Sequence, residues 1–171
     1  MQVRETHPAT SATLVASGCV WHHASVVRIR DFLSLVYDRL PPHLPEALRD
    51  HRWRVRFSML QVYFAGPAVH YEVWVQRKYR RIEIGLHFEG EREENERWAR
   101  ALGERVLENQ ARLGPDVELE EWTASWMRLH ETRPLAGELK EPLADEIAER
   151  LAAFISVLEP MLEKERAAMV G

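Results

Sequence analysis

The chain has 171 residues, 46% of them hydrophobic and 29% charged, with one cysteine, Cys19, and a formal net charge of −4. That length can bury a sizeable core without metal or disulfide support. The composition excludes both a disordered chain and a disulfide-stapled scaffold. No apolar run approaches the roughly 18–20 residues that span a bilayer. The first 18 residues contain Arg4, Glu5, His7 and Pro8 and lack a signal peptide's apolar stretch, so a cytoplasmic protein with no membrane partner is expected.

Residues 1–18, rich in Thr, Ser and Ala, show no period, and a flexible leader is expected over 1–23 ahead of a single domain over 24–171. Val26, Ile29, Leu33, Val36 and Leu40 then recur at helical spacing until Pro41-Pro42 stops the run. Three strand signals follow. Trp53 to Phe64 alternates and reads as one strand before the Gly66-Pro67 turn. Val69, Tyr71, Val73 and Val75 form the second; Ile82, Ile84, Leu86 and Phe88 form the third, after the polar turn Arg77 to Arg80. Connections this short predict an antiparallel meander.

Glu91, Glu93 and Glu94 open a second helix, where negative charge suits the helix dipole. Trp98, Leu102, Val106 and Leu113 mark its stripe, and Gly114-Pro115 ends it. Two short strands are expected near 117–122 and 125–131. The last helix begins at Pro142, with Leu143, Ile147, Leu151, Phe154, Leu158 and Leu162 as its stripe; Pro160 is expected to kink it or end it near Leu158.

The fold class expected is α+β: a two-layer arrangement in the order α-β-β-β-α-β-β-α, with an antiparallel five-stranded sheet and helices mainly on one face. Val69, Tyr71, Val73, Val75, Ile82, Ile84, Leu86 and Phe88 would face the helices. Arg54, Arg56, Glu72, Trp74, Glu83, His87, Trp126, Arg128 and His130 would face away, on a solvated sheet face of the kind antiparallel sheets tolerate. Two tryptophans on such a face, Trp74 and Trp126, mark it as a contact surface.

The stretch His70-Tyr-Glu-Val-Trp-Val, then Arg81 through Glu89, Asn95, Leu113-Gly114 and Val117 through Trp122, resembles a family of bacterial domains of uncharacterised function. Those domains are often attached to nuclease-like modules in restriction-type or defence-type proteins. The resemblance covers roughly residues 70–140 and implies a fold, with no catalytic residues to carry over. The element order is also similar to the type III secretion chaperone-like fold, which implies homodimers that present apolar patches; fold analogy alone is a weak warrant for function.

Candidate chemistry is sparse. Glu72 and Glu83 sit on adjacent expected strands, but Glu83-Ile84-Gly85 lacks the lysine of a PD-(D/E)xK nuclease, and no strand supplies the first aspartate. Cys19, His22 and His23, with His7, place soft ligands together, yet structural zinc sites usually show two spaced ligand pairs, and no metal is expected. His87 and His130 share a face with Glu72 and Glu83, which reads as ordinary surface pairing beside a usable acid–base combination. Glycine-rich phosphate loops, dinucleotide fingerprints, nucleophile elbows and CxxC pairs are all missing, so neither a catalytic residue nor a cofactor is expected. Arg49, Arg52, Arg54 and Arg56, with Arg77, Lys78, Arg80 and Arg81 around Tyr79, combine cations with an aromatic as single-strand binders do. The bland alternative pairs those arginines with the carboxylates of residues 89–96.

These readings predict a non-enzymatic protein-interaction domain, a homodimer, acting through the sheet face at Trp74, Trp126, Arg54, Arg56, Glu72, Glu83, His87 and His130. A nucleic-acid-associated accessory domain is the alternative.

Overall fold

The computed structural model describes residues 27–170. The expected leader, with His7, Cys19, His22 and His23, lies outside them. Four helices and one six-stranded antiparallel sheet make up the fold, so the α+β class holds with one strand more than expected. In chain order these are α1 (Ile29–Arg39), β1 (Arg52–Arg56), β2 (Met59–Tyr63), β3 (Val69–Gln76), β4 (Arg81–Phe88), α2 (Arg92–Gly103), α3 (Val106–Leu113), β5 (Glu118–Glu121), β6 (Met127–Pro134) and α4 (Glu141–Val170). The strand order across the sheet is β1-β2-β3-β4-β6-β5. No described helix is long and apolar enough to cross a membrane.

Three expectations change. The run from Trp53 to Phe64 is a hairpin, not one strand: Phe57 takes a left-handed φ of 52° and reverses the chain, so Arg56 pairs with Met59. Alternation continues unbroken through the turn, which hid it. The second helix divides at Gly103 into α2 and α3. The last helix passes through Pro160 without ending. Pro160 is solvent-exposed, while Leu158, Glu159 and Leu162 around it are buried. Packing on both sides, with Tyr71 Oη donating to Glu159 Oε2 at 2.9 Å, offsets the backbone bond that proline cannot make.

The hydrophobic core lies between the helices and one sheet face. The strand residues expected to face the helices do so: Tyr71, Val73, Val75, Ile82, Ile84, Leu86 and Phe88 are buried, and Val69 packs at the margin. They meet Phe32, Leu33 and Val36 of α1, Trp98 and Leu102 of α2, and Ile147, Leu151, Phe154, Ile155 and Leu158 of α4.

One glycine sets the spacing of β4 and β6. Gly85 faces away from the helices directly opposite His130, and a Cβ built there would stand 2.5 Å from the His130 Cβ and 2.7 Å from the Leu129 carbonyl oxygen. Backbone flanked on both sides by strands cannot move to make room. Gly85→Ala is therefore expected to lower stability by about 1–3 kcal/mol through overpacking, measured by denaturant unfolding; unchanged stability would show that β4 and β6 are not so close.

Candidate functional site

The second sheet face is not the solvated surface expected. Gln61, His70, Glu72, Gln76, Glu83, His87, Arg128 and His130 all point to it and all are buried, Glu83 to 1% exposure and His87 to 0%. Strand alternation places them there: His70, Glu72, Trp74 and Gln76 on β3; Arg81, Glu83, Gly85 and His87 on β4; Arg128 and His130 on β6. Long polar side chains on adjacent strands lie against one another. Trp122, from the β5–β6 connection, folds over them, edge-on to Trp74 (5.9 Å) and His87 (5.8 Å) and beneath the Arg128 guanidinium (5.1 Å). Lateral pairing and this aromatic roof remove water from groups that the alternation pattern alone would leave wet.

Glu83 is the hub. Arg128 Nη1 donates to both its oxygens at 2.8 and 2.9 Å, and Gln76 Nε2 donates to Oε2 at 2.9 Å. His87 Nε2 stands 3.3 Å and His130 Nδ1 3.7 Å from Oε1. Arg128 also bonds Glu120 on the edge strand, through Nε at 2.7 Å and through Nη2. Toward the other edge, Gln61 Nε2 donates to Glu72 Oε2 (2.8 Å) and to His70 Nε2 (2.9 Å), while Arg54 Nε donates to Gln61 Oε1 (2.7 Å). His70 Nδ1 bonds the Pro67 carbonyl at 2.8 Å, so it carries the proton and Nε2 the lone pair.

Burial alone would raise the Glu83 and Glu72 carboxyls. Arg128 and the adjoining His87 and His130 imidazoles outweigh it at Glu83, and the neighbouring His70 and His87 imidazoles with the Gln61 bond do so at Glu72, so both are held below the usual carboxylate range. Glu120 is lowered the same way, by Arg128 and His130 against its own desolvation. Desolvation pushes His130 down, with the nearby Arg128 cation adding to it and Glu83 opposing. On the opposite face burial raises Glu159, despite its pairing with Arg166.

The sequence-derived site residues thus fall into two groups. Glu72, Glu83, His87 and His130 come together in the buried network. Trp74 is half-buried, its Nε1 donating to Ser58 Oγ at 3.1 Å, and Trp126 at 36% exposure lies at the rim, its ring tilted 35° to that of Trp122 at 5.8 Å. The Trp74 indole is partly covered by Trp122 and the β1–β2 tip, whereas Trp126 remains exposed as expected. Arg54 anchors the network's edge, whereas Arg56 is exposed at the β1 tip. Residues the reading did not single out are Gln61, His70, Trp122, Glu120 and Asn95. His70 shares the alternation of Glu72 and could have been found from it. Asn95 holds the roof in place from a distance: its Nδ2 donates to the carbonyls of Gly90 (3.0 Å) and Ser125 (2.8 Å), tying the start of α2 to the loop that carries the tryptophans.

A second feature adjoins the network. From Arg49 to Arg81 the chain carries eight Lys and Arg, at 49, 52, 54, 56, 77, 78, 80 and 81, against two carboxylates, Asp50 and buried Glu72. Among the described residues none of these eight has a carboxylate within 4.0 Å. The pairing expected with residues 89–96 does not form, because those lie at the opposite end of β4. The β1–β2 and β3–β4 tips share one end of the sheet, joined by the Val75 N–H bond to the Ser58 carbonyl at 2.9 Å. That end presents Phe57 (85% exposed) and Tyr79 (62%), with Arg56 over the first ring and Lys78 and Arg81 over the second.

Comparison of the chain with protein-family models, curated proteins and solved structures finds no match.

The shifts set a pH dependence. Glu72, Glu83 and Glu120, with folded values below their unfolded ones, stabilise the fold above the unfolded carboxyl value of about 4.3, a contribution lost as pH falls through the folded values. His130, also lowered, takes up its proton first in the unfolded chain, so stability falls as pH drops below about 6.5. Raised Glu159 has the opposite sign and favours the fold at low pH. His130 thus predicts a fall in unfolding free energy that begins at about pH 6.5, opposed by Glu159, and the three carboxylates a further, larger fall below about pH 4.3, in urea titrations from pH 7 to pH 3; a flat profile below about pH 4.3 would contradict the network.

Proposed function

We propose that the chain is a non-enzymatic domain that binds single-stranded nucleic acid at the sheet end formed by the β1–β2 and β3–β4 tips. The observation that supports it is the coincidence there of unpaired cations with exposed aromatic rings, while the remainder of the chain is acidic. Phosphate neutralisation by Arg56, Arg77, Lys78 and Arg80 would supply affinity, and Phe57 and Tyr79 would supply stacking platforms that tolerate any base. Backbone strain points the same way. Phe57 and Arg80 are the described non-glycine residues with left-handed φ, 52° and 49°, and both lie at this end. A bulky aromatic is a poor choice for such a turn unless its ring is used. Resemblance to domains that accompany nuclease-like modules is in keeping with this reading.

The buried network suits catalysis less. Glu83 accepts hydrogen bonds from Arg128 at both oxygens and from Gln76, is held below the usual carboxylate range and is 1% exposed, so it is poorly placed to act as a base on a substrate.

Self-association is a second reading, favoured by the sheet's edges: β1 carries Arg52, Arg54 and Arg56 on the face where β5 carries Glu118 and Glu120. Pairing of β1 with β5 of a second copy would be head-to-tail. A sedimentation profile that stays monomeric at high concentration and low salt would remove it.

The main reading predicts binding of a fluorescent oligonucleotide at low ionic strength. The exposed-site variant Arg56→Ala/Lys78→Ala/Arg80→Ala should lessen the log–log salt slope by about 2, at about 0.7 per phosphate contact. No binding by the unaltered chain would sink it. Phe57→Gly should stabilise the fold by about 1 kcal/mol, since glycine takes left-handed φ without strain, yet weaken binding; unchanged affinity would remove the ring from the account.

A further inference from the structure

Next to the network's hub, His70 and His87 face each other in register on β3 and β4, their rings 5.5 Å apart and nearly parallel. Glu89 follows His87 by two residues and so shares its side of the strand. One donor atom from each of the three lies within 4.8 Å of the other two.

His87 is anomalous. Its ring is fully buried, yet neither nitrogen makes an aligned hydrogen bond. A buried polar group left unsatisfied costs about 1–3 kcal/mol, and this one lies amid carboxylates: Nδ1 is 3.9 Å from Glu89 Oε1, and Nε2 is 3.3 Å from Glu83 Oε1. A metal ion on Nδ1 would satisfy that nitrogen and leave Nε2–H for Glu83, the carboxylate–histidine–metal relay that orients ligating imidazoles. His70 has Nδ1 held by the Pro67 carbonyl, so its ligand atom would be Nε2, where the ion would replace the hydrogen bond now accepted from Gln61. Glu89, partly exposed at the end of β4, provides the route from solvent.

We propose that His70, His87 and Glu89 form a binding site for one divalent transition-metal ion. Two imidazoles and a carboxylate are borderline ligands that suit zinc and its first-row neighbours and leave a position open for water. Calcium and magnesium, which take oxygen ligands in larger number, are disfavoured. The role is independent of the nucleic-acid reading: the site lies at the opposite end of β3 and β4 from Phe57 and Tyr79.

The test is equilibrium dialysis of the untagged, chelator-stripped full chain against Zn2+ with metal analysis, and Co2+ absorption as a spectroscopic readout. One equivalent is expected, with a visible Co2+ band. His87→Gln and Glu89→Gln should each weaken binding at least tenfold; Glu89→Gln, at a partly exposed position, separates ligand loss from misfolding, which circular dichroism checks. A chain with His7→Ala, Cys19→Ala, His22→Ala and His23→Ala together should keep its ion. Absence of stoichiometric metal, unchanged affinity in Glu89→Gln, or loss of the ion in the fourfold variant would each overturn the proposal.

Discussion

Glu83 and Arg128 form an ion pair in the middle of a sheet face with almost no access to water, and the remainder of that face is arranged around it. Charges removed from water lose several kcal/mol of hydration each, which their mutual attraction repays only when further hydrogen bonds satisfy both partners. That condition accounts for the neighbours. Gln76 adds a hydrogen bond to Glu83, beside which the two imidazoles stand, while Glu120 and the Trp122 ring complete Arg128. Gly85 is bare because His130 needs the space its Cβ would occupy.

The sheet therefore separates two interiors of different chemistry. One is apolar, closed by α1, α2 and α4. The other is ionic, closed by a loop that carries two tryptophans and is fastened by Asn95. An apolar core tolerates substitution of similar volume, whereas a connected ionic one loses several partners when any member is removed. The β1–β2 and β3–β4 tips extend beyond both, so the features used for the functional reading can vary without disturbing either. Strain concentrated at Phe57 and Arg80 is sustained by this frame.

Much of the architecture was legible in the residues. Period-two alternation identified the core face of β3 and β4, and the helical stripes identified α1 and α4, because in both cases burial against one layer imposes a period. The hairpin turn at Phe57 was not legible, since no glycine or asparagine marks it and the alternation runs through. Of the two outcomes expected at Pro160, ending the helix does not occur, because that local rule is overridden by Leu158 and Leu162 packing on either side of it. The polar face shows the deeper limit. Glu72, Glu83, His87 and His130 were placed together correctly, but polar identity was equated with exposure. Whether a carboxylate is wet depends on what stands across from it, and Trp122 arrives from 35 or more positions later in the chain.

The most direct test is a double-mutant cycle on the central pair, read by urea unfolding at pH 7. Arg128→Met alone should destabilise by about 3–5 kcal/mol, because it leaves Glu83 charged and buried. Adding Glu83→Leu should recover a large part of that loss. A cost below about 1 kcal/mol for Arg128→Met, the size of an exposed pair, with no recovery in the double variant, would contradict an ionic interior and return the face to solvent.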